Sequence, residues 1–343
     1  MRALVSTLTA RALQNLMGNG FYTQGRVPPA WEPVRPPTLP APRRRLRLAL
    51  LLFLLTVIST LFVGLHLQQA YEQNLPPYTE SIYSAEILGR IFADPLWLLQ
   101  GWPFAATLLG ILLAHELGHY FACRYYGIVA SYPYFLPAPT LIGTMGAFIR
   151  IYSPIVNRRA LFDVGISGPL VGFVLAVPAL ALGVTWAKVV PGVTEESPIL
   201  FGNPPLVSFF AWWFWPEVPA DHLLLHPVGL AAWVGLFATA LNLLPVGQLD
   251  GGHIVYALAA EKHRAFSRGF LLALLFAGLL GLRYPELIWP GWLFWGSILL
   301  LIGVRHPALL DPGPSLDPPR RWVAVLGLVV FFFCFTPVPF HTP

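Results

Sequence analysis

Charged residues are scarce in this chain, and their scarcity excludes an ordinary soluble domain. Only 11% of its 343 residues are Asp, Glu, Lys or Arg, whereas a soluble domain usually carries about 25%. Hydrophobic residues make up 56% of the chain, and the mean hydropathy is +0.64. The composition therefore predicts a protein with several transmembrane segments, for which the rules of the bilayer replace those of an aqueous core.

Cysteine is also scarce, and so is any basic surface interleaved with aromatic residues. Cys123 and Cys334 both lie in apolar runs, so we expect no disulfide framework, and the cysteines do not indicate a redox compartment. The net charge of +5 is not arranged as a basic and aromatic surface, so we expect no nucleic-acid partner.

The N-terminal residues 1–45 are polar, basic and rich in proline, which indicates a flexible or extended tail. The first residues weakly resemble an organelle transit peptide, because Arg, Ser and Thr precede any acid. No cleavage pattern is evident, so we interpret the segment as the cytoplasmic tail of a bacterial protein. Arginines at 43–45 and 47 precede the first apolar run, which predicts a cytoplasmic N-terminus.

Apolar runs along the chain predict about seven transmembrane helices. The runs cover approximately residues 48–67, 96–123, 161–188, 227–246, 269–282, 287–304 and 322–338. On this topology 18 of the 21 Lys and Arg residues lie on the cytoplasmic side, as the positive-inside rule requires. The expected fold class is an all-α polytopic protein of the bacterial inner membrane.

The second apolar run contains the motif H-E-x-x-H at His115, Glu116 and His119. On a helix, histidines four residues apart project from one face. They can bind one zinc ion there, and the adjacent Glu116 can take a proton from the attacking water. Ionisable groups inside a membrane segment are costly, so they indicate a functional site. The alternative is a pair of histidines that are hydrogen-bonded inside a helix bundle.

A catalytic zinc site needs a third protein ligand and an open fourth position. The second and fourth apolar runs cross in the same direction, so their cytoplasmic ends lie at similar depth. This brings Asp250, the only acid at the end of the fourth run, to the level of His115 and His119. We therefore predict Asp250 as the third ligand, although by itself it would also fit a solvated helix cap.

Two polar residues near Asp250 have alternative interpretations. Asn242 could donate its amide to a peptide carbonyl or its oxyanion, or it could satisfy backbone groups that Pro245 leaves free. His253 could orient Asp250 from behind, or it could simply be solvated or hydrogen-bonded.

Residues 128–152 do not fit a transmembrane helix. Three prolines break the helical pattern, and residues 143–151 have strand-like composition with glycines that permit tight turns. Irregular backbone at membrane depth is tolerated only where it is buried in protein or lines a cavity. We interpret this segment as a re-entrant β-hairpin near the active site. An ordinary cytoplasmic loop of this length is the alternative.

Together these motifs resemble the site-2 protease family of intramembrane zinc metalloproteases. The segments HELGHYFACRYYG, GTMGAFIRI, NRRALFDVGISGPL and NLLPVGQLDGGH most resemble its bacterial branch, which is similar to the plastid ethylene-dependent gravitropism-deficient and yellow-green proteins. The resemblance implies one Zn²⁺ per chain on His115, His119 and Asp250. It also implies Glu116 as catalytic base and Asn242 as a substrate-positioning residue. The residues implied to pair with an extended substrate are Gly143, Thr144, Met145, Gly146 and those up to Ile149.

The expected function is hydrolysis of peptide bonds in or near the transmembrane segments of single-span membrane proteins, as in regulated intramembrane proteolysis. The alternatives are a catalytically silent relative that binds membrane proteins, and a metal transporter. The complete set of ligands and base argues against the first, and the single depth of the ligands argues against the second. We expect the lipid bilayer as a further partner and neither a PDZ nor a CBS domain. The expected units are a tail at 1–45, a first transmembrane helix at 46–68, a protease core at 96–260 and C-terminal helices at 266–343.

Overall fold

The computed structural model describes residues 45–78, 85–193 and 197–341. The predicted tail at 1–45 lies outside the described residues, apart from Arg45. The α-helices are α1 (Leu46–Glu72), α2 (Ala85–Ala93), α3 (Trp102–Tyr125), α4 (Arg158–Thr185), α5 (Pro205–Phe214), α6 (Pro227–Asn242), α7 (Asp250–Gly281), α8 (Trp292–Ile302) and α9 (Pro318–Cys334). The short strands are β1 (Tyr134–Pro137), β2 (Thr144–Phe148), β3 (Lys188–Val189), β4 (Leu200–Phe201), β5 (Leu223–Leu224) and β6 (Phe340–His341).

Four helical segments of the described chain are long and apolar enough to cross a membrane. These segments are Leu46–Glu72, Pro95–Tyr125, Arg158–Thr185 and Asp250–Gly281. The fold is therefore mostly helical and consistent with a polytopic membrane protein. The other three predicted spans correspond to α6, α8 and α9, which have 16, 11 and 17 residues. A full crossing takes about 20 residues, so seven spans remain a prediction.

Helix α7 overlaps the fifth predicted span, approximately residues 269–282, and begins earlier in the chain, at Asp250. It consists of two helical segments joined at a kink at Ala259, where φ is −149° and ψ is 68°. Lys262, Arg264 and Arg268 are exposed on the second of these segments, where water can solvate them.

Helix α4 is in contact with α3, α6 and α7, the elements that carry the candidate site. Small residues allow this close approach. A Cβ at Gly118 of α3 would lie 2.9 Å from the carbonyl carbon of Ser167 in α4. Helix α4 also contains Pro169 and Pro178, which membrane helices tolerate where neighbouring groups satisfy the freed backbone. Packing against α4 therefore fixes how α3 and α7 face one another.

Strands β1 and β2 form the antiparallel hairpin that the sequence predicts. Tyr134 is paired with Phe148, and Phe135 is paired with Ala147. The hairpin packs on α1. The hydroxyl of Ser59 in α1 donates to the Gly143 carbonyl at 2.6 Å. Its depth in a membrane remains a prediction. Two further antiparallel ladders join β3 to β5 and β4 to β6.

Candidate metal centre

Helix α3 presents the two histidines of the H-E-x-x-H motif on one buried face. His115 is 6% exposed and His119 is 7% exposed. Their Nε2 atoms are 3.1 Å apart. The spacing of four residues places them one helical turn apart, as expected for the same face.

Asp250 joins the histidines from the first turn of α7. Its Oδ2 atom lies 3.3 Å from Nε2 of His115 and 3.3 Å from Nε2 of His119. The three ligand atoms thus converge on one point from two helices. The two histidines are 135 and 131 residues from Asp250 in the sequence, so only the packing of α7 against the bundle brings them together.

The spacing of these three atoms fits zinc. Four ligands at about 2.0–2.1 Å in a tetrahedral arrangement lie about 3.3–3.4 Å from one another. The measured separations of 3.1, 3.3 and 3.3 Å are close to this requirement. Two imidazoles and one carboxylate also form a donor set that zinc prefers.

A backbone carbonyl of α4 orients His119. Nδ1 of His119 donates to the carbonyl oxygen of Val164 at 2.7 Å. This bond leaves the lone pair on Nε2, which faces Asp250 and His115. Metal-ligating histidines usually carry such a bond at their second nitrogen, because it fixes both the tautomer and the direction of the ring.

Two glycines of α4 make room for the histidines. A Cβ at Gly168 would collide with the His119 imidazole, and a Cβ at Gly172 would lie 3.2 Å from the His115 Cβ. A G-x-x-x-G pair permits close packing of membrane helices. Here the two candidate ligand histidines are packed against it.

Glu116 lies beside the ligands and is shielded from water. It is 6% exposed, and the backbone N–H of Ile149 lies near its carboxylate. Ile149 directly follows strand β2, so the hairpin reaches the carboxylate of the predicted base. The structure therefore places Glu116 between the ligand cluster and the hairpin.

Asn242 ends helix α6 and contacts the same cluster. Its Nδ2 atom is 3.3 Å from Nε2 of His115. The lone pair on Nε2 of His115 can bind either a metal ion or the Asn242 amide. If His115 binds a metal, the Asn242 amide is free to donate to another acceptor. This arrangement fits the substrate-facing interpretation of Asn242.

The four hairpin residues that the sequence singles out have different surroundings. Gly143, at φ +75°, lies against the backbone of α1, and Thr144 is 1% exposed with its hydroxyl bonded to the Leu136 carbonyl. Met145 is 69% exposed, and Gly146 has φ +97° with open space around it. The first two hold the turn in place, and the latter two are accessible.

Sequence reasoning missed the partner of His253. Its Nδ1 atom is 2.7 Å from Nε2 of His306, a residue 53 positions further along the chain. Nothing in the sequence marks this pairing, because His306 lies in a proline-rich segment without a recognisable motif. Cys123 is fully buried in an apolar cluster, which agrees with the apolar-filler interpretation.

An H-E-x-x-H helix and an aspartate from a second apolar helix thus bring three candidate metal ligands together in a protein with membrane-type helices. The chain matches the family model of Peptidase family M50 over residues 103–281. This match covers more than half of the chain, which therefore belongs to the M50, or site-2 protease, family.

Curated plant proteins resemble the chain over most of its length. The Arabidopsis thaliana protein "Probable zinc metalloprotease EGY1, chloroplastic" is 33% identical over 310 residues, which are 85% of this chain and 53% of that protein. "Probable zinc metalloprotease EGY2, chloroplastic" of Oryza sativa subsp. indica is 30% identical over 73% of this chain and 45% of that protein. "Probable zinc metallopeptidase EGY3, chloroplastic" of Arabidopsis thaliana is 28% identical over 68% of this chain and 42% of that protein. The chain spans about half the length of the curated relatives it matches.

Proposed function

We propose that this chain is an intramembrane zinc metalloprotease that hydrolyses peptide bonds in or near the transmembrane segments of membrane proteins. The observation that carries the proposal is the convergence of His115, His119 and Asp250, with ligand atoms within 4.8 Å of one another, beside the buried carboxylate of Glu116. Membership of the M50 family supports it. The metal-transporter alternative requires ligands along a path across the membrane, whereas these ligands lie at a single point.

His115, His119 and Asp250 would hold the zinc ion. Bound there, zinc would polarise the scissile carbonyl and make a water molecule a nucleophile at neutral pH. The Glu116 carboxylate would accept a proton from the attacking water and pass it to the leaving amide nitrogen. The amide of Asn242 would donate to the carbonyl oxygen as negative charge develops on it.

The hairpin would hold the substrate in an extended form. A helical substrate hides its peptide groups in its own hydrogen bonds, so it must unwind before it can be cut. Among the described strands, β2 pairs with β1 alone, which leaves its other edge for strand addition. The exposed Met145 and the open space at Gly146 support binding at this edge. The position of the Ile149 N–H near the Glu116 carboxylate supports the hairpin as the element that presents the substrate to the base.

The finer topology belongs to the same proposal. It comprises seven spans, a hairpin that re-enters the membrane and an N-terminus on the cytoplasmic side of a bacterial inner membrane. The concentration of basic residues on one predicted side supports this orientation. The proposed units remain a tail at 1–45, a first helix at 46–68, a protease core at 96–260 and C-terminal helices at 266–343. The M50 match at 103–281 overlaps this core and extends beyond it. The proposed substrates are single-span membrane proteins.

The experiment that tests this function is cleavage of a panel of single-span reporter proteins, co-expressed with wild type, Glu116→Gln or Glu261→Gln. Glu261 is an exposed acid of α7 and serves as the matched control. We expect wild type and Glu261→Gln to cleave the same reporters and Glu116→Gln to cleave none while it still binds zinc. Equal cleavage by Glu116→Gln would overturn the assignment of the base. A zinc-loaded wild type that cuts no reporter would favour the silent, binding relative.

A further inference from the structure

A basic pocket lies beside the kink of α7, outside the candidate metal centre. It is an open pocket of about 330 Å³ between α7 and the segment that follows α8. The residues that line it are Tyr256, Ala260, His263, Arg264, Arg305 and His306. The M50 assignment and the proposed peptidase mechanism use none of these side chains.

The arginines of this pocket repel one another. Arg264 lies within electrostatic range of both Arg268 and Arg305. In the parts of the chain that the structure describes, no ion pair engages any of the three. Like charges held together without an acid raise the local potential, and a bound anion would relieve it.

The pocket has a wall that is already fixed in place. Both ring nitrogens of His306 are engaged, since Nδ1 donates to the Pro307 carbonyl at 2.7 Å and Nε2 is 2.7 Å from His253. Its ring stacks on Tyr256 with centroids 4.1 Å apart. The same wall includes His263, whose ring centroid is 5.3 Å from that of Tyr256 and 5.7 Å from that of His306. His263 is 2% exposed and lies 3.3 Å from the Ser267 hydroxyl. A preorganised wall of this kind loses little entropy when a ligand binds.

The same wall also supports the turn that carries Asp250. The Ser267 hydroxyl donates to the Pro245 carbonyl at 3.2 Å and accepts from the Gly247 N–H at 3.3 Å. Residues 245 and 247 belong to the turn between α6 and α7. The pocket is thus joined through hydrogen bonds to the segment that positions the third ligand.

Several apolar side chains that are close in sequence to the lining residues are exposed. The exposed fractions are 40%, 58%, 86% and 60% for Leu258, Phe266, Leu301 and Ile302. Exposed apolar groups next to arginines are typical of a protein surface at the level of lipid headgroups. The ligand chemistry that suits such a place is a phosphate group with an adjoining apolar chain.

We infer that this pocket binds a phosphate group between Arg264 and Arg305, supplied by an anionic phospholipid headgroup or by soluble phosphate. The planar guanidinium presents paired N–H donors that match phosphate oxygens. This inference does not depend on peptide hydrolysis.

The test is calorimetric titration of the purified full-length chain in a zwitterionic detergent at constant ionic strength. The probes are inorganic phosphate, short-chain phosphatidylglycerol and short-chain phosphatidylcholine. We expect one saturable site per chain for phosphatidylglycerol, with Arg264→Gln and Arg305→Gln each weakening it about tenfold. Arg283→Gln, an exposed arginine at the other end of α7, is the matched control and should bind as wild type does.

The outcomes separate the two sources of phosphate. Binding of phosphatidylglycerol without binding of inorganic phosphate would identify a lipid site, and equal binding of both would identify a site for soluble phosphate. Arg264→Lys keeps the charge but loses the paired donors, and it replaces Arg264→Gln if that variant does not fold. Absence of binding for all probes, or Kd values within twofold of wild type for both glutamine variants, would overturn the inference. Neither result depends on whether the chain cleaves a reporter.

Discussion

A single methyl group placed between α4 and the ligand histidines is the most informative perturbation. A Cβ at Gly168 would collide with Nε2 of His119 and would lie 2.5 Å from its Cδ2, whereas ordinary contact begins at 3.4 Å. The imidazole or the helix must therefore move by at least about 0.9 Å. Metal sites tolerate shifts of about 0.2 Å. We expect Gly168→Ala to weaken zinc affinity about 10- to 100-fold, the usual effect of disturbing the groups that orient a ligand.

Two other helical glycines complete a graded series. A Cβ at Gly172 would lie 3.2 Å from Cβ and 3.3 Å from Nδ1 of His115, so a shift of only about 0.2 Å relieves the contact. We expect Gly172→Ala to weaken zinc affinity by less than about tenfold, because its displacement is within the tolerance of a metal site. A Cβ at Gly269 of α7 would meet no other group within 4 Å. Gly269→Ala should leave zinc affinity unchanged while it gains the same helix propensity as the other two changes.

The assay is equilibration of each purified variant against a series of buffered zinc concentrations, followed by measurement of bound zinc. Thermal unfolding of the same samples shows whether the bundle is intact. The predicted order of affinity is Gly269→Ala, then Gly172→Ala, then Gly168→Ala. A Gly168→Ala variant that binds zinc within threefold of Gly269→Ala would refute the packing of α4 against His119.

Three further predictions concern Asn242 and the polar link between α3, α4 and α9. Asn242→Ala should lower the cleavage rate about 100-fold, as loss of one oxyanion donor does, and leave the zinc content unchanged. Arg320→Gln breaks a 2.6 Å ion pair with Asp163 and should lower the free energy of unfolding by about 1–2 kcal/mol, since both side chains are about a quarter exposed. The Tyr126 hydroxyl donates to Asp163. Burial raises the pKa of Tyr126 above its usual value of 10.0, and the hydrogen bond to Asp163 and the charge of that residue raise it further. The folded state thus favours the neutral hydroxyl, so this stabilisation is fully present below pH 10 and is lost as the pH rises through the raised pKa.

Each of these predictions has a matched control in the chain. Asn203→Ala removes an exposed amide and should leave the cleavage rate unchanged; an equal loss in both asparagine variants would refute an oxyanion role. Arg321→Gln removes the neighbouring exposed arginine, and a thermal melt should show a smaller loss than for Arg320→Gln. Melts between pH 9 and pH 11 should show a steeper alkaline loss for wild type than for Tyr126→Phe. Tyr125→Phe, which alters an 83% exposed ring, should behave as wild type, and identical curves for Tyr126→Phe and wild type would contradict the tyrosine argument.

Much of the candidate site can be predicted from local spacing and topology. His115 and His119 are four residues apart on a helix, so their shared face follows from helix geometry. Asp250 is more than 130 residues away, and its approach follows from the parallel direction of two apolar runs. The hairpin at Gly143 follows from prolines and glycines in an otherwise apolar region. Each of these features can be read from the types of residue present or from their spacing in the sequence.

Other features of the site are not indicated by any residue type or spacing. The orientation of His119 depends on the Val164 carbonyl, and a backbone acceptor is present at every position of a helix. The hydrogen bond between His253 and His306 joins two residues that are 53 positions apart and share no sequence motif. The kink of α7 at Ala259 lies in a stretch, residues 254–262, that contains neither proline nor glycine. Tertiary packing decides each of these cases.

The central claim is that His115, His119 and Asp250 together hold one zinc ion. Zinc K-edge X-ray absorption on the purified wild type tests it most directly, with metal content measured on the same sample. We predict one zinc per chain with only nitrogen and oxygen neighbours at about 2.0–2.2 Å, and loss of the metal in Asp250→Ala. Absence of zinc under metal-replete conditions, or a sulfur shell near about 2.3 Å, would contradict it.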